Sequence, residues 1–161
     1  MKQLISIAII MMLGGTMITA GEKDDQAIQK VVDSMEDGWN NKNGEQFASG
    51  FATQHDYIII NGIRKLDLTP AKNAAQHQYI FDTIYRDTEM EYKLVTLRYL
   101  TNQIVIAHID AFLYEQGKRE NAHKATISLV FQKSGDEWKI VSFQNTRLQA
   151  PKDNRQISSD H

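Results

Sequence analysis

The chain has 161 residues, with 18 Lys+Arg, 20 Asp+Glu, 5 His and no Cys. That length suits one domain able to bury about two-thirds of its unfolded surface, and the lack of Cys excludes disulfides, thiolate nucleophiles and Cys-bound metals. A formal net charge of −2 argues against a general nucleic-acid binder, which needs a basic stripe.

Residues 1–20 have a positive start at Lys2, an apolar run from Leu4 to Leu13, and a short end from Gly14 to Ala20. This is the pattern of a secretory signal, with cleavage expected after Ala20. The apolar run is too short to span a bilayer of about 30 Å, and no Cys follows to carry a lipid. Cleavage removes Lys2 and no acid, taking the net charge from −2 to −3. The mature protein is expected in the periplasm or secreted, free of the membrane.

Asp24 or Asp25 is positioned to cap a first helix. Ile28, Val31, Val32, Met35 and Trp39 then recur at helical spacing, and Asn40 to Asn43 end the run. Asn43 with Gln46 resembles a capping box opening a short second helix, with Phe47 and Phe51 on its buried face. Thr53 to Asp56 predicts a polar turn, and Tyr57 to Asn61 a strand ended by Gly62. Thr69-Pro70 starts a third helix, Thr as cap and Pro at the first helical position. Its apolar face carries Ala74, His77, Ile80, Phe81 and Ile84. After Asp87 the period changes: residues 89–100, 104–115, 122–132 and 137–148 are long strands, with hairpin turns at Thr101-Asn102-Gln103 and Ser134-Gly135-Asp136. The tail from Pro151 is polar and expected to be disordered.

Three helices followed by a meander of antiparallel strands predict an α+β fold. The helices would pack inside a strongly curved antiparallel sheet, giving a cone-shaped barrel with one closed and one open end. The open mouth is where a small molecule would enter. The divisions are a signal segment at 1–20, one domain at 21–150 and a tail at 151–161.

Several segments together resemble the SgcJ/EcaC family, within the SnoaL-like and nuclear-transport-factor-two-like superfamily. They are Gly38-Trp39-Asn40, the Phe47 and Phe51 pair, Asn61-Gly62, His77 with Phe81-Asp82, Leu97-Arg98, Gly135 to Ile140, and the ending Phe143-Gln144-Asn145-Thr146. The match runs over most of residues 25–148. Members typically end His-Asn-Thr, and here Gln144 stands in place of that His. The resemblance implies a cone-shaped barrel, a homodimer paired through the open sheet face, and a pocket for an apolar or aromatic small molecule. Members carry the label oxidoreductase, but no Gly-x-Gly-x-x-Gly follows a strand, so a nicotinamide site has no visible basis. No cofactor is expected. Ketosteroid isomerase shares the superfamily fold, with an Asp base and a Tyr donor. By similarity these would fall at Ile59 and Met35, which cannot handle a proton, so that mechanism is not expected.

Among the residues that could carry chemistry, His77 sits on the inward stripe of the third helix. Burial would favour its neutral form. It serves either as a core histidine bonded to a strand carbonyl or as a pocket donor or base. His108 and Asp110 are two apart on one strand and share a face, with Arg98 on the hairpin partner. The three form an acid/base or anion-binding set, or a charged ladder on the solvent or dimer face. Trp39, Tyr57 and Phe81 divide between core and pocket wall. With Asn145 from the family-like ending, these eight residues are the pocket candidates. The five His are scattered, with no His-x-x-x-His pair, so no metal is expected, and no Gly-x-Ser-x-Gly supports a serine nucleophile.

Overall fold

The computed structural model describes residues 20–148. The segment expected to be a signal (but for Ala20, the first residue of α1) and the polar tail lie outside the described residues. Three helices are present, α1 (Ala20–Asn40), α2 (Gly44–Ala48) and α3 (Pro70–Asp82). Six strands, β1 (Phe51–Ile58), β2 (Arg64–Leu68), β3 (Thr88–Tyr99), β4 (Ile104–Glu115), β5 (His123–Ser134) and β6 (Glu137–Arg147), form one sheet in the order β2-β1-β6-β5-β4-β3. The fold is α+β, helices against one face of a curved sheet.

The sheet is mixed, not wholly antiparallel. β3 to β6 form the expected antiparallel meander, but β1 runs parallel to β6, with Tyr57 opposite Phe143. β1 begins at Phe51, opposite Ile140 of β6, and takes in residues 53–56, the segment expected to turn, of which His55 pairs with Leu68 of β2. Its ladder with β6 shifts register between Phe51 and Asp56. β2, which the residue pattern did not indicate, closes a hairpin with β1 and packs one side chain inward, Leu68. Phe51 accordingly leaves α2 and opens the strand, while its ring still stacks on Phe47 at 6.1 Å.

Alternation along β4 and β5 sends Val105, Ala107, Ile109 and Ala111, and Ala125, Ile127, Leu129 and Phe131, into the core. α1 meets them with Ile28, Val32, Met35 and Trp39. A Leu or Phe taken fully from water contributes roughly 1.5–3 kcal/mol, and this inner face supplies most of such residues. The helices approach closely where a side chain is missing. A Cβ at Gly38 would lie 2.3 Å from the Phe47 backbone nitrogen, and one at Gly44 would lie 2.2 Å from the Ala74 carbonyl oxygen.

The caps on α2 and α3 follow the sequence. Asn43 accepts from the Gln46 N–H and Thr69 from the Lys72 N–H, with Pro70 in the first turn. The capping box on α2 is half made, because the Gln46 side chain accepts from Asn41 instead. α1 differs: it continues through Asp24 and Asp25, whose carboxylates bind the sheet. Asp24 accepts from Lys133 Nζ at 2.7 Å and Trp138 Nε1 at 3.0 Å, and Asp25 accepts from the Tyr99 hydroxyl at 2.5 Å. These contacts close the narrow end of the cone. α3 stops at Asp82, where the Thr83 and Tyr85 N–H groups turn back to the Ile80 carbonyl. Ile84 therefore leaves the helix face and is 69% exposed.

Candidate functional site

At the wide end, helices and sheet diverge around a cavity of about 690 Å³. Trp39, Tyr57, Tyr85, Met90, Tyr92, Leu113, Phe143 and Asn145 line it, with His123, Lys124, Arg147 and Leu148 at the mouth. α1 fixes the β3 wall at two points. Asn40 Nδ2 donates to the Met90 carbonyl at 2.9 Å while its Oδ1 accepts from the Met90 N–H at 2.8 Å. Glu36 accepts from the Tyr92 N–H at 2.6 Å, and burial raises the Glu36 pKa above the ordinary carboxylate value. β3 is a sheet edge, so these side chains satisfy backbone groups that no strand pairs. Trp39 donates its indole N–H to Thr88 Oγ1 at 3.2 Å and meets Tyr85 at 5.0 Å between ring centres.

Beneath the cavity runs a buried polar chain. His77 Nδ1 lies 3.0 Å from the Asn73 carbonyl oxygen, one turn back on α3. A carbonyl only accepts, so Nδ1 carries the proton and Nε2 is bare. The Tyr57 hydroxyl, 3.2 Å from Nε2, therefore donates to it. The same logic fixes His55, whose Nδ1 donates to the Ala52 carbonyl at 2.9 Å while Nε2 accepts from Asn73 Nδ2 at 2.9 Å. Burial holds His77 neutral, its pKa lowered to about 4, and lowers that of His55. It pushes the Tyr57 hydroxyl well above the usual phenol range. At neutral pH the chain is uncharged from end to end.

Of the eight sequence candidates, Trp39, Tyr57 and Asn145 line the cavity. His77 lies one layer below, 7% exposed, against the Phe47 ring at 3.9 Å. Its acceptors and donors are a carbonyl of its own helix and Tyr57, not a strand carbonyl. Phe81 is buried beneath Trp39, 5.2 Å from its ring. Arg98, His108 and Asp110 do share a face, as expected, but it is the outer face. Val105, Ala107 and Ile109 take the inward positions of β4, so the residues between them point away from the helices. His108 pairs there with Ser128 at 3.1 Å, and Arg98 stands opposite Ile106. These three do not belong to the cavity. Gln144, in the place of the family histidine, is exposed.

Tyr85, Met90, Tyr92, Leu113, His123 and Arg147 were not singled out from the sequence. Met90 and Tyr92 carried a usable signal, two large residues at strand spacing opposite Leu113 and Ala111 of the next strand. His55 and Asn73 carried none, since their polarity suited a turn and an exposed helix position. On the wall Asn145 Oδ1 is fully buried and without a partner, and the hydroxyls of Tyr85 and Tyr92 make no hydrogen bond among the described residues. Among the described residues no three His, Asp or Glu side chains converge as a metal site, and no helix is long and apolar enough to cross a membrane.

No protein-family model matches the chain, and no curated protein matches it. Solved structures do. A domain of unknown function with a cystatin-like fold from Nostoc punctiforme is 26% identical, with 83% of this chain and 81% of that one covered, at a TM-score of 0.74. A nuclear-transport-factor-two-like protein of unknown function from Shewanella oneidensis is 16% identical, covering 76% of this chain and 98% of that one, at a TM-score of 0.62. A hexachlorocyclohexane dehydrochlorinase is 14% identical, covering 78% and 86%, also at a TM-score of 0.62. The chain has the cystatin-like, nuclear-transport-factor-two-like cone fold.

Proposed function

We propose that this is an exported small-molecule-binding domain of the SgcJ/EcaC type, which holds an apolar or aromatic ligand in the cone and works as a homodimer through the outer sheet face. One observation carries the reading: the cone is left open at its wide end, with a cavity of about 690 Å³ walled by Trp39, Tyr57, Tyr85, Tyr92 and Phe143. That size and composition match sites for small organic molecules, which run to roughly 300–1,000 Å³ with a few placed polar groups. Partly buried Ile104, Ile106 and Val130 on the outer face support pairing, because an apolar sheet face is usually covered. The apolar run of residues 4–13 supports export. Native mass spectrometry of protein purified from its own host tests ligand and dimer together. A retained small molecule on a dimer mass is expected; an empty monomer at tens of micromolar (roughly the range for a standard interface) would sink both.

A second reading is an enzyme of acid/base type, an isomerase or hydratase acting on an apolar ring substrate. The likeness to a dehydrochlorinase and the Tyr57–His77 bond beneath the cavity support it. The bland side of His77 weighs against it, since both ring nitrogens are engaged and a base of pKa about 4 is weak. The binding reading therefore stands first. A third, a module serving only assembly, has less support, because such a role would suit a filled cone.

A further inference from the structure

The wall of the cavity contains no carboxylate, while its mouth carries His123, Lys124 and Arg147. The Lys124 ammonium sits over the Phe112 ring on the outer face, 5.8 Å from its centre. Arg147 stands opposite Ala125 in the β5–β6 ladder, and Ala125 is buried on the inner face, so the guanidinium is on the cavity side. It makes no ion pair among the described residues. A planar fork of donors with no protein acceptor, at the rim of an apolar cavity without acids, is suited to a carboxylate.

The inner end has the opposite polarity, and the buried chain below sets it. The Asn73 carbonyl fixes the His77 proton on Nδ1, His77 Nε2 takes the Tyr57 proton, and the Tyr57 oxygen is left with lone pairs only. Tyr57 is level with Phe143 across the parallel ladder. From there Asn145 and Arg147 follow at alternate positions on one strand face, so that the two ends are roughly 13 Å apart at about 3.3 Å per residue.

We infer that the ligand, if the cavity is the small-molecule site proposed above, is an elongated, largely aromatic hydroxy acid: its carboxylate is held by Arg147 at the mouth and its hydroxyl donates to the Tyr57 oxygen at the inner end. The reverse orientation is disfavoured, because an anion at the inner end would meet the lone pairs of the Tyr57 oxygen and no cation.

Trp39 lines the cavity and Trp138 is buried at the narrow end, so quenching of tryptophan fluorescence reads binding. Four probes are titrated: para-hydroxyphenylpropionate, its methyl ester, para-acetylphenylpropionate, and the neutral dye Nile red. The hydroxy acid is expected to bind about tenfold or more tighter than the ester, the step one charge-assisted contact gives, and about tenfold tighter than the acetyl acid, which accepts but cannot donate. Arg147→Gln, at an exposed position, should bring acid and ester to near-equal affinity, while Lys139→Gln, outside the cavity, should leave the preference intact. Equal binding of acid and ester by the unaltered protein, or a preference that survives Arg147→Gln, overturns the mouth assignment. Equal or tighter binding of the acetyl acid overturns the inner one, without recourse to a Tyr57 variant that could misfold. Nile red binding with no preference among the others defeats this inference and leaves the cavity reading standing; no binding by any of the four defeats both.

Discussion

At the narrow end of the cone the Asp24 carboxylate accepts from both Lys133 and Trp138, above a floor of Phe131 and Ile140 with no exposure. At the wide end, up the same strands, Asn145 Oδ1, the Tyr92 hydroxyl and the Arg147 guanidinium have no protein partner among the described residues. The buried one of these, Asn145 Oδ1, costs roughly 1–3 kcal/mol by standing unpaired. The narrow end is built for stability, then, and the wide end gives some up to hold polar groups ready for something that is not protein. Unequal responses of the two ends to substitution and to pH follow.

The largest effect should come from emptying the narrow end. Phe131→Ala is expected to cost about 3–5 kcal/mol in urea unfolding, as the lost transfer energy and the new void add. Leu113→Ala, beside a cavity that already exists, makes no comparable void and should cost about 1 kcal/mol. Equal losses would mean that the wide end is as tightly packed as the narrow one.

Acid should then separate the ends by pH window. The His77 imidazole titrates at about 4 in the fold against about 6.5 in the unfolded chain. Between those values the unfolded state binds the proton first, so stability is full above 6.5, falls as pH drops toward 4, and levels off below. The loss should approach about 3 kcal/mol, with His55 adding to it in the same direction because burial lowers its pKa too. Asp24 acts later. Its carboxyl is held below the ordinary range by hydrogen bonds from Lys133 and Trp138, so its contribution is present above about 3.9 and lost as pH falls through the lower folded value. The stability gap between the unaltered protein and His77→Phe should shrink by about 3 kcal/mol from pH 7 to pH 4; a gap constant with pH would rule out a neutral, buried His77. Asp24→Asn should cost about 1 kcal/mol at pH 7, modest because its ion pair is partly solvated, and little at pH 3.

How much of this was legible beforehand depended on how local the deciding contacts are. The four long strands were placed to within two residues because dense alternation and Gly135 or Asn102 turns mark them within the segment itself. β1 was obscured because Thr53 and Gln54 are exposed and its parallel partner, β6, lies some 85–90 residues away; β2 was obscured with it, since β2 pairs only with β1. At the site, Trp39 and Tyr57 could be found from aromatic residues on amphipathic elements. The shared face of Arg98, His108 and Asp110 was equally readable, but not which face it is. Ile104 and Ile106 are as apolar as Val105 and Ile109, so alternation gives phase without sign, and only the helices packed on one side supply the sign. Asp24 looked like a helix cap because an Asp before an apolar stripe usually is; its true partners, Lys133 and Trp138, come from the far end of the chain.

The smallest expected effect is the most pointed test of the wide end. Tyr92 has its ring buried beside Met90 on the cavity wall, and its hydroxyl makes no hydrogen bond among the described residues. Tyr92→Phe keeps the ring and removes only that hydroxyl. If the oxygen serves the fold, through a contact formed in solution, its loss should cost roughly 1 kcal/mol, as for an ordinary hydrogen bond. If it is held for a ligand, unfolding stability should change by less than about 0.5 kcal/mol, because the hydroxyl makes no bond in the fold to lose. The matched change at the partnered hydroxyl, Tyr57→Phe, leaves His77 Nε2 without its donor and should cost about 1–3 kcal/mol. Urea unfolding of the two variants side by side decides between these outcomes. A loss at Tyr92 equal to that at Tyr57 would place both hydroxyls in the service of the fold and remove the distinction between the two ends of the cone.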